Sequence, residues 1–92
     1  MKNKKKLTIE EIKDIVLKST KDVISSKQDI TLNSVITGPG SAAESIEIVQ
    51  IISAIEDQLE INGIEGYDLF DEIFKTEEHT LESLSQLIKD GI

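Results

Sequence analysis

A run of apolar residues at helical spacing in the middle of the chain restricts the possible folds most strongly. Its members are three or four positions apart, the spacing that places side chains on one face of an α-helix. They are Ile48, Ile52, Ile55 and Leu59, flanked by Ile46, Val49 and Ile51. A helix with one apolar face is stable only when that face is buried against another element. The stripe therefore predicts a fold in which helices pack on one another.

Another helix is predicted near the N-terminus, from Thr8 to about Ser26. Thr8 and Glu11 have the T-x-x-E spacing of a capping box, and Leu7 and Ile12 have the spacing of a hydrophobic staple. The apolar positions of this helix follow the helical period opposite a face of Lys and Asp. They are Ile9, Ile12, Ile15, Val16 and Val23.

The last third of the chain predicts two more helices. The turn signals Asn62-Gly63 and Gly66 precede a short helix over Tyr67 to Phe74, and we expect its three aromatic residues to pack in the core rather than to shape a cavity. Thr80 is the predicted N-cap of the last helix, and Gly91 is its predicted stop. The buried stripe of that helix consists of Leu81, Leu84, Leu87 and Ile88.

The segment from Lys27 to Gly40 lacks a helical period and is predicted as a long loop, closed by Gly38-Pro39-Gly40. Four apolar anchors pin it, namely Ile30, Leu32, Val35 and Ile36. No segment has a convincing strand pattern. The expected fold class is all-α, a small four-helix bundle with a long loop between helices one and two and a short third helix. Residues 7–92 form its single domain, and residues 1–6 form a basic flexible tail.

The charge of the chain restricts its partners. In 92 residues, 18 acidic side chains against 10 basic ones give a formal net charge of −8, divided as +3 over residues 1–30 and −11 over residues 31–92. This balance disfavours contact with a phosphate backbone, so we expect no nucleic-acid partner. An acidic surface attracts basic partners, although it can also serve solubility alone. The charge by itself leaves both interpretations open.

Hydropathy gives an expectation for the compartment. No apolar stretch reaches the ~20 residues that a membrane span requires, and the N-terminus lacks the apolar run of a secretory signal. We therefore expect a cytoplasmic monomer without a membrane span.

The sequence offers little for catalysis or metal binding, and we predict that the protein is not an enzyme. It contains no Cys, so it has no thiol nucleophile and no thiolate ligand. The single His, His79, follows two Glu residues and is interpreted as a solvated loop residue rather than a base or a ligand. Gly38-Pro39-Gly40-Ser41 lacks the Lys of a phosphate-binding loop. The many carboxylates fit solvated helix faces better than acid–base catalysis.

The start of the central helix resembles a known family. Glu44-Ser45-Ile46 stands where acyl carrier proteins have Asp-Ser-Leu, and Ala54 to Leu59 aligns without a gap with their Ala-Leu-Glu-Glu-Glu-Phe turn. The resemblance to the acyl carrier signature extends from Ile36 to Leu59, and the Gly-Pro-Gly-Ser lead-in is similar to that of specialised carriers. The first helix and Thr80 to Ile92 match the family in pattern and order.

The resemblance implies that Ser45 carries a phosphopantetheine arm through a phosphodiester bond. The thiol of that arm would bear acyl or aminoacyl groups as thioesters, which explains how a chain without Cys could take part in thiol chemistry. The implied partners are a phosphopantetheinyl transferase and the enzymes that load and use the cargo in fatty-acid, polyketide, nonribosomal-peptide or similar synthesis. A phosphodiester at the start of a helix also meets unpaired N–H groups and the positive end of the helix dipole.

In the resembling family, the exposed face of this helix docks basic patches of partner enzymes. The acidic residues implied in docking are Glu44, Glu47, Glu56 and Asp57, and the apolar contacts at the centre are Ile46 and Val49. Two departures leave the cargo open. Glu44 replaces the usual Asp, and the stretch from Leu59 to Thr80 is longer than in fatty-acid carriers.

A second interpretation of Ser45 is purely structural. Ser41-Ala42-Ala43-Glu44 has the S-x-x-E spacing of a capping box, so Ser41 could be the N-cap, with Glu44 as its reciprocal partner. Ser45 would then be an ordinary residue of the first turn. The corresponding alternative function is a non-catalytic helical adaptor that keeps the carrier fold without the arm.

Overall fold

The structure is a computed structural model of the chain, and it describes residues 7–24, 30–38, 43–75 and 78–92. These residues form four helices and one two-stranded antiparallel sheet. The elements in chain order are α1 (Ile9–Val23), β1 (Val35–Thr37), α2 (Ser45–Ile61), α3 (Leu69–Ile73), β2 (His79–Thr80) and α4 (Leu81–Gly91). The structure is mostly helical, as predicted. The predicted basic tail at residues 1–6 lies outside the described residues.

Helix α1 begins as its sequence predicts. The N–H of Glu11 donates to Thr8 Oγ1 at 3.1 Å, and the N–H of Thr8 donates to Glu11 Oε1 at 2.9 Å. Both members of the predicted staple, Leu7 and Ile12, are buried. Helix α1 ends at Val23, whereas the predicted end near Ser26 lies outside the described residues.

Helix α2 buries a face close to the predicted one. Ile52, Ile55 and Leu59 are buried, but the fourth buried position is Ile51 rather than Ile48, which is only partly buried. The helix ends at the predicted turn, where Gly63 has a φ of 89° and the N–H of Ile64 donates to the carbonyl of Leu59 at 2.8 Å. A positive φ at that position favours glycine.

The helices surround a single apolar core. Helix α1 packs against both α2 and α4, and α3 contacts both α2 and α4. Buried residues with almost no exposed surface include Val16, Ile55, Leu69, Ile73, Leu81, Leu84 and Ile88. Within the described residues, none of the helices combines the length and the hydropathy needed to cross a membrane.

The two strands correct the prediction of a loop without strands. Thr37 pairs with His79 and Val35 pairs with Thr80, with a register irregularity between the two pairs. Strands of three and two residues are too short to show an alternating pattern in sequence, which explains the error. The predicted anchors hold this segment in place: Ile30 and Ile36 are buried, and Leu32 and Val35 are partly buried.

The first turn of α4 is tied to the same segment. The N–H of Leu81 donates to the carbonyl of Ser34 at 3.1 Å, and the N–H of Glu82 donates to the carbonyl of Leu32 at 2.9 Å. These bonds satisfy two of the N–H groups that a helix N-terminus leaves unpaired. We call β1, β2 and these two hydrogen bonds the β clip.

The predicted core packing of the aromatic residues is wrong for Phe70 and Phe74. Both are half exposed, and their rings meet edge to face with centroids 5.3 Å apart. Helix α3 has only five residues, and Leu69 and Ile73 occupy its buried face. The phenylalanines are therefore left on its outer side.

Tyr67 is partly buried against the end of α4. Its Oη donates to the carbonyl of Leu87 at 3.5 Å, and burial followed by the carboxylates of Glu72 and Asp90 raises the pKa of Tyr67 to about 12. A Cβ at Gly91 would lie 2.5 Å from Tyr67 Cε1. Because Gly91 has no side chain, it permits this close approach. Gly91 is itself the last residue of α4, which corrects its predicted role as a stop.

Candidate functional site

Ser45 is the first residue of α2 and is exposed. Glu44 directly before it has an extended backbone, with φ −84° and ψ 165°, and is the N-cap. The carbonyl of Glu44 accepts from the N–H of Ile48 at 2.9 Å, the first hydrogen bond of the helix. Among the described residues, the Ser45 hydroxyl has no hydrogen-bond partner.

The structure contradicts the reciprocal cap of Ser41 and Glu44. A helix capped by Ser41 would place Glu44 in its first turn with helical backbone angles, whereas Glu44 is extended. Ser41 itself lies outside the described residues. The reciprocal partner of Glu44 is instead Glu47, whose Oε1 accepts from the N–H of Glu44 at 2.9 Å. Glu is not among the favoured N-cap residues, so sequence preference did not indicate this arrangement.

Two of the predicted docking residues form an apolar surface beside Ser45. Ile46 is 67% exposed and Val49 is 49% exposed, as their place outside the buried stripe predicts. Glu44 is exposed and Glu47 is partly buried at the same end of the helix. We call these four residues and Ser45 the α2 N-terminal surface. It combines an exposed hydroxyl, two carboxylates and two apolar side chains.

The structure gives Glu56 a contact that sequence reasoning missed. Its Oε2 accepts from the N–H of Leu69 at 2.9 Å and lies 3.4 Å from the N–H of Phe70. Asp68 adds a second carboxylate at the start of α3, because its Oδ1 accepts from the N–H of Asp71 at 3.1 Å. Glu56 therefore fastens the start of α3 to α2. A bond between residues 13 positions apart leaves no local pattern in the sequence.

Asp57, the last predicted docking residue, lies on a different side of α2. It is exposed and lines a shallow groove between α1 and α2. Asp14, Lys18, Asp22 and Gln58 also line this groove. The structure thus brings together Glu44, Ser45, Ile46, Glu47 and Val49, but it places Glu56 toward α3 and Asp57 toward α1.

His79 corrects the interpretation of a solvated loop residue. It is 5% exposed, in β2, with its Nδ1 3.3 Å from Ser83 Oγ. Burial lowers the pKa of His79, and the backbone of Ile73 opposes this shift in part. The two Glu residues before it suggest a polar link, whereas the strand pairing that buries it joins segments far apart in sequence.

In the part of the chain that the structure describes, no group of three or more His, Asp or Glu side chains is arranged to hold a metal ion. No family model, no curated protein and no solved structure matches the chain.

Proposed function

We propose that the protein is a discrete acyl carrier protein with a carrier-like four-helix bundle. Ser45 bears a phosphopantetheine arm through a phosphodiester bond, and acyl or aminoacyl groups are carried as thioesters on the thiol of the arm. The protein is a cytoplasmic monomer that delivers this cargo to other enzymes and does not itself catalyse. The proposal is supported by the resemblance of Glu44-Ser45-Ile46 and its following helix to the carrier signature.

The observation that carries the proposal is the position of Ser45 at the first residue of α2, exposed and without a hydrogen-bond partner among the described residues. The other described serines are buried, hydrogen-bonded or inside a helix. Ser19 and Ser85 are buried, and the hydroxyls of Ser34 and Ser83 take part in local hydrogen bonds. Ser53 is exposed, but it lies in the interior of α2. A phosphate on Ser45 would instead meet the unpaired N–H groups and positive dipole end of the helix.

The α2 N-terminal surface also suits brief contacts with basic enzymes. Glu44 and Glu47 lie beside Ser45, and the chain from residue 31 onward has a net charge of −11. Complementary charge speeds encounter, whereas a small apolar centre such as Ile46 and Val49 gives a contact that can be released. The proposed partners are a phosphopantetheinyl transferase and the enzymes that load and consume the cargo.

The experiment is transfer of the arm in vitro. The full chain is incubated with coenzyme A, magnesium and a phosphopantetheinyl transferase of broad specificity, and the intact mass is measured. We expect one arm per chain, located on Ser45 by fragmentation. Ser45→Ala should accept none.

Two variants are matched controls for this experiment. Ser53→Ala removes an exposed hydroxyl from the same helix, and Ser41→Ala removes the hydroxyl of the competing cap. Both should be modified like the wild type. An unmodified wild type would contradict the proposal and favour the adaptor without an arm. An arm on a serine other than Ser45 would contradict the assignment of Ser45.

A further inference from the structure

Two residues paired across the β clip each have a buried polar atom without a hydrogen-bond partner among the described residues. Thr37 and His79 are paired across the two strands and are 4% and 5% exposed. Within the described residues, neither Thr37 Oγ1 nor His79 Nε2 has a hydrogen-bond partner. Residues directly opposite each other in an antiparallel pair have neighbouring side chains on one face of the sheet. The clip therefore covers a buried imidazole whose Nε2 has no hydrogen-bond partner among the described residues.

Among the described residues, no charged side chain contributes to the shift in the pKa of His79, which burial lowers and the backbone of Ile73 opposes. Strand β1 contains no ionisable residue. Helix α3 reaches the imidazole through the backbone of Ile73, and its two carboxylates, Asp71 and Glu72, form ion pairs with Lys75. In α4, Glu82 is exposed and lies 3.9 Å from Lys13 Nζ of α1. Glu78, directly before β2, is exposed.

We propose that the β clip is a pH-sensitive latch in which proton uptake by His79 separates β1 from β2 and releases residues 30–38 from the start of α4. A charged imidazole in a buried position needs a hydrogen-bonded counter-charge or water, and opening the clip supplies water. The hydrogen bonds from Leu81 to Ser34 and from Glu82 to Leu32 would open with it. The latch is independent of whether Ser45 carries an arm.

The direction of the pH effect follows from the sign of the shift. The pKa of His79 is lower in the closed protein than its ordinary value of 6.5. Above that value, His79 is neutral in both the closed and the open state and contributes no pH dependence. As the pH falls through 6.5 toward the pKa of the closed state, the open state binds the proton first. The equilibrium then shifts toward opening, by up to about tenfold per pH unit.

The first measurement is an NMR titration of the full chain. Because the chain contains one His, its imidazole resonances report His79 alone. We expect a midpoint below 6.5, accompanied by shift changes of the amides of Thr37, Leu81 and Glu82. A midpoint at or above 6.5 would overturn the proposal.

The second measurement is amide hydrogen exchange at several pH values, expressed as protection factors so that the intrinsic pH dependence of exchange is removed. Protection of Leu81 and Glu82 should fall by up to about tenfold per pH unit below 6.5. Protection of Val16 and Ile55, in the core of α1 and α2, should not fall with it. An equal loss at all four amides would overturn local opening.

Two variants distinguish the pH dependence caused by His79 from that caused by carboxylates, which also titrate in acid. His79→Gln should remove the pH dependence of protection at Leu81 between pH 5 and 7. Thr37→Val removes the hydroxyl of the paired residue with little change of shape, and this variant should retain the pH dependence of protection at Leu81. If His79→Gln exchanges with the same pH dependence as the wild type, the latch is excluded. If that variant does not fold, the wild-type titration still decides.

Discussion

Val49 is an apolar side chain on the outer face of a helix whose inner face already supplies the core. It is 49% exposed, one turn beyond the start of α2, and close to the residue proposed to bear the arm. An exposed apolar residue of this kind contributes little to folding. Its role in the proposed function is contact with a partner at the centre of a small interface.

We therefore predict that Val49→Asp slows transfer of the phosphopantetheine arm by roughly five- to thirtyfold. A charge at the centre of an interface must be desolvated, and the loss of one central contact costs roughly 1–2 kcal/mol. The measurement is the initial rate of arm transfer, with helical circular dichroism recorded to show that the fold is intact.

Ile61→Asp is the matched control for this prediction. Ile61 is an exposed apolar residue of the same helix, 74% exposed, but it lies at the opposite end from Ser45. The same added charge there should leave the rate within about twofold of the wild type, a difference of only ~0.4 kcal/mol. Equal rates for wild type and both variants would show that the α2 N-terminal surface does not meet the transferase.

At the scale of the elements, α3 is the piece that depends most on a residue outside itself. Five residues make too few hydrogen bonds to stabilise a helix in isolation. Its buried residues Leu69 and Ile73 supply packing, and Glu56 supplies an acceptor for its first N–H groups. Losing that acceptor should loosen the whole element.

Glu56→Ala should lower the free energy of unfolding by about 1–2 kcal/mol, as expected for removing a charged cap from a helix start. Asp57→Ala removes a neighbouring carboxylate that makes no such bond and should change stability by less than about 0.5 kcal/mol. The measurement is urea unfolding monitored by circular dichroism. Equal effects of the two substitutions would mean that Glu56 does not fasten α3.

Local features of the elements could be predicted from sequence, because their causes lie within one turn. The capping residues Thr8 and Thr80 are of this kind, and so are the buried positions Leu81, Leu84 and Ile88 of α4. Leu87, also predicted in that stripe, is only partly buried, and the fourth buried position is Ser85. The burial of His79, the pairing of β1 with β2 and the contact of Glu56 with α3 depend on segments far apart in sequence. No local pattern encodes them, so sequence reasoning assigned His79 to solvent.

In the candidate site, too, local features could be predicted from sequence and long-range contacts could not. The exposure of Ile46 and Val49 follows from the helical period, and the structure agrees with it. The sequence predicts six docking residues on one face of α2. That prediction did not include the positions at which α1 and α3 pack against α2. Those neighbours place Asp57 in the groove with α1 and engage Glu56 with α3.

For the whole molecule, stability depends on the core that the helices share. Ile52 of α2 and Leu84 of α4 are almost completely buried in it. Substituting either by Ala removes buried methyl groups and leaves a cavity. We predict a loss of about 2–5 kcal/mol for Ile52→Ala and for Leu84→Ala, measured by urea unfolding.

Ile46→Ala is the control for the core substitutions, because Ile46 belongs to the same helix as Ile52 but is 67% exposed. It should change stability by no more than about 0.5 kcal/mol. A loss below about 1 kcal/mol at both Ile52 and Leu84 would contradict the assignment of the core.

A covalent arm on Ser45 is tested most directly by the intact mass of the protein purified from its native host, followed by fragmentation to locate any modification. We expect a mass increase equal to one phosphopantetheine group, with or without bound cargo, on Ser45. An unmodified mass throughout the purified protein, or a modification on another residue with Ser45 bare, would show that Ser45 does not carry the arm.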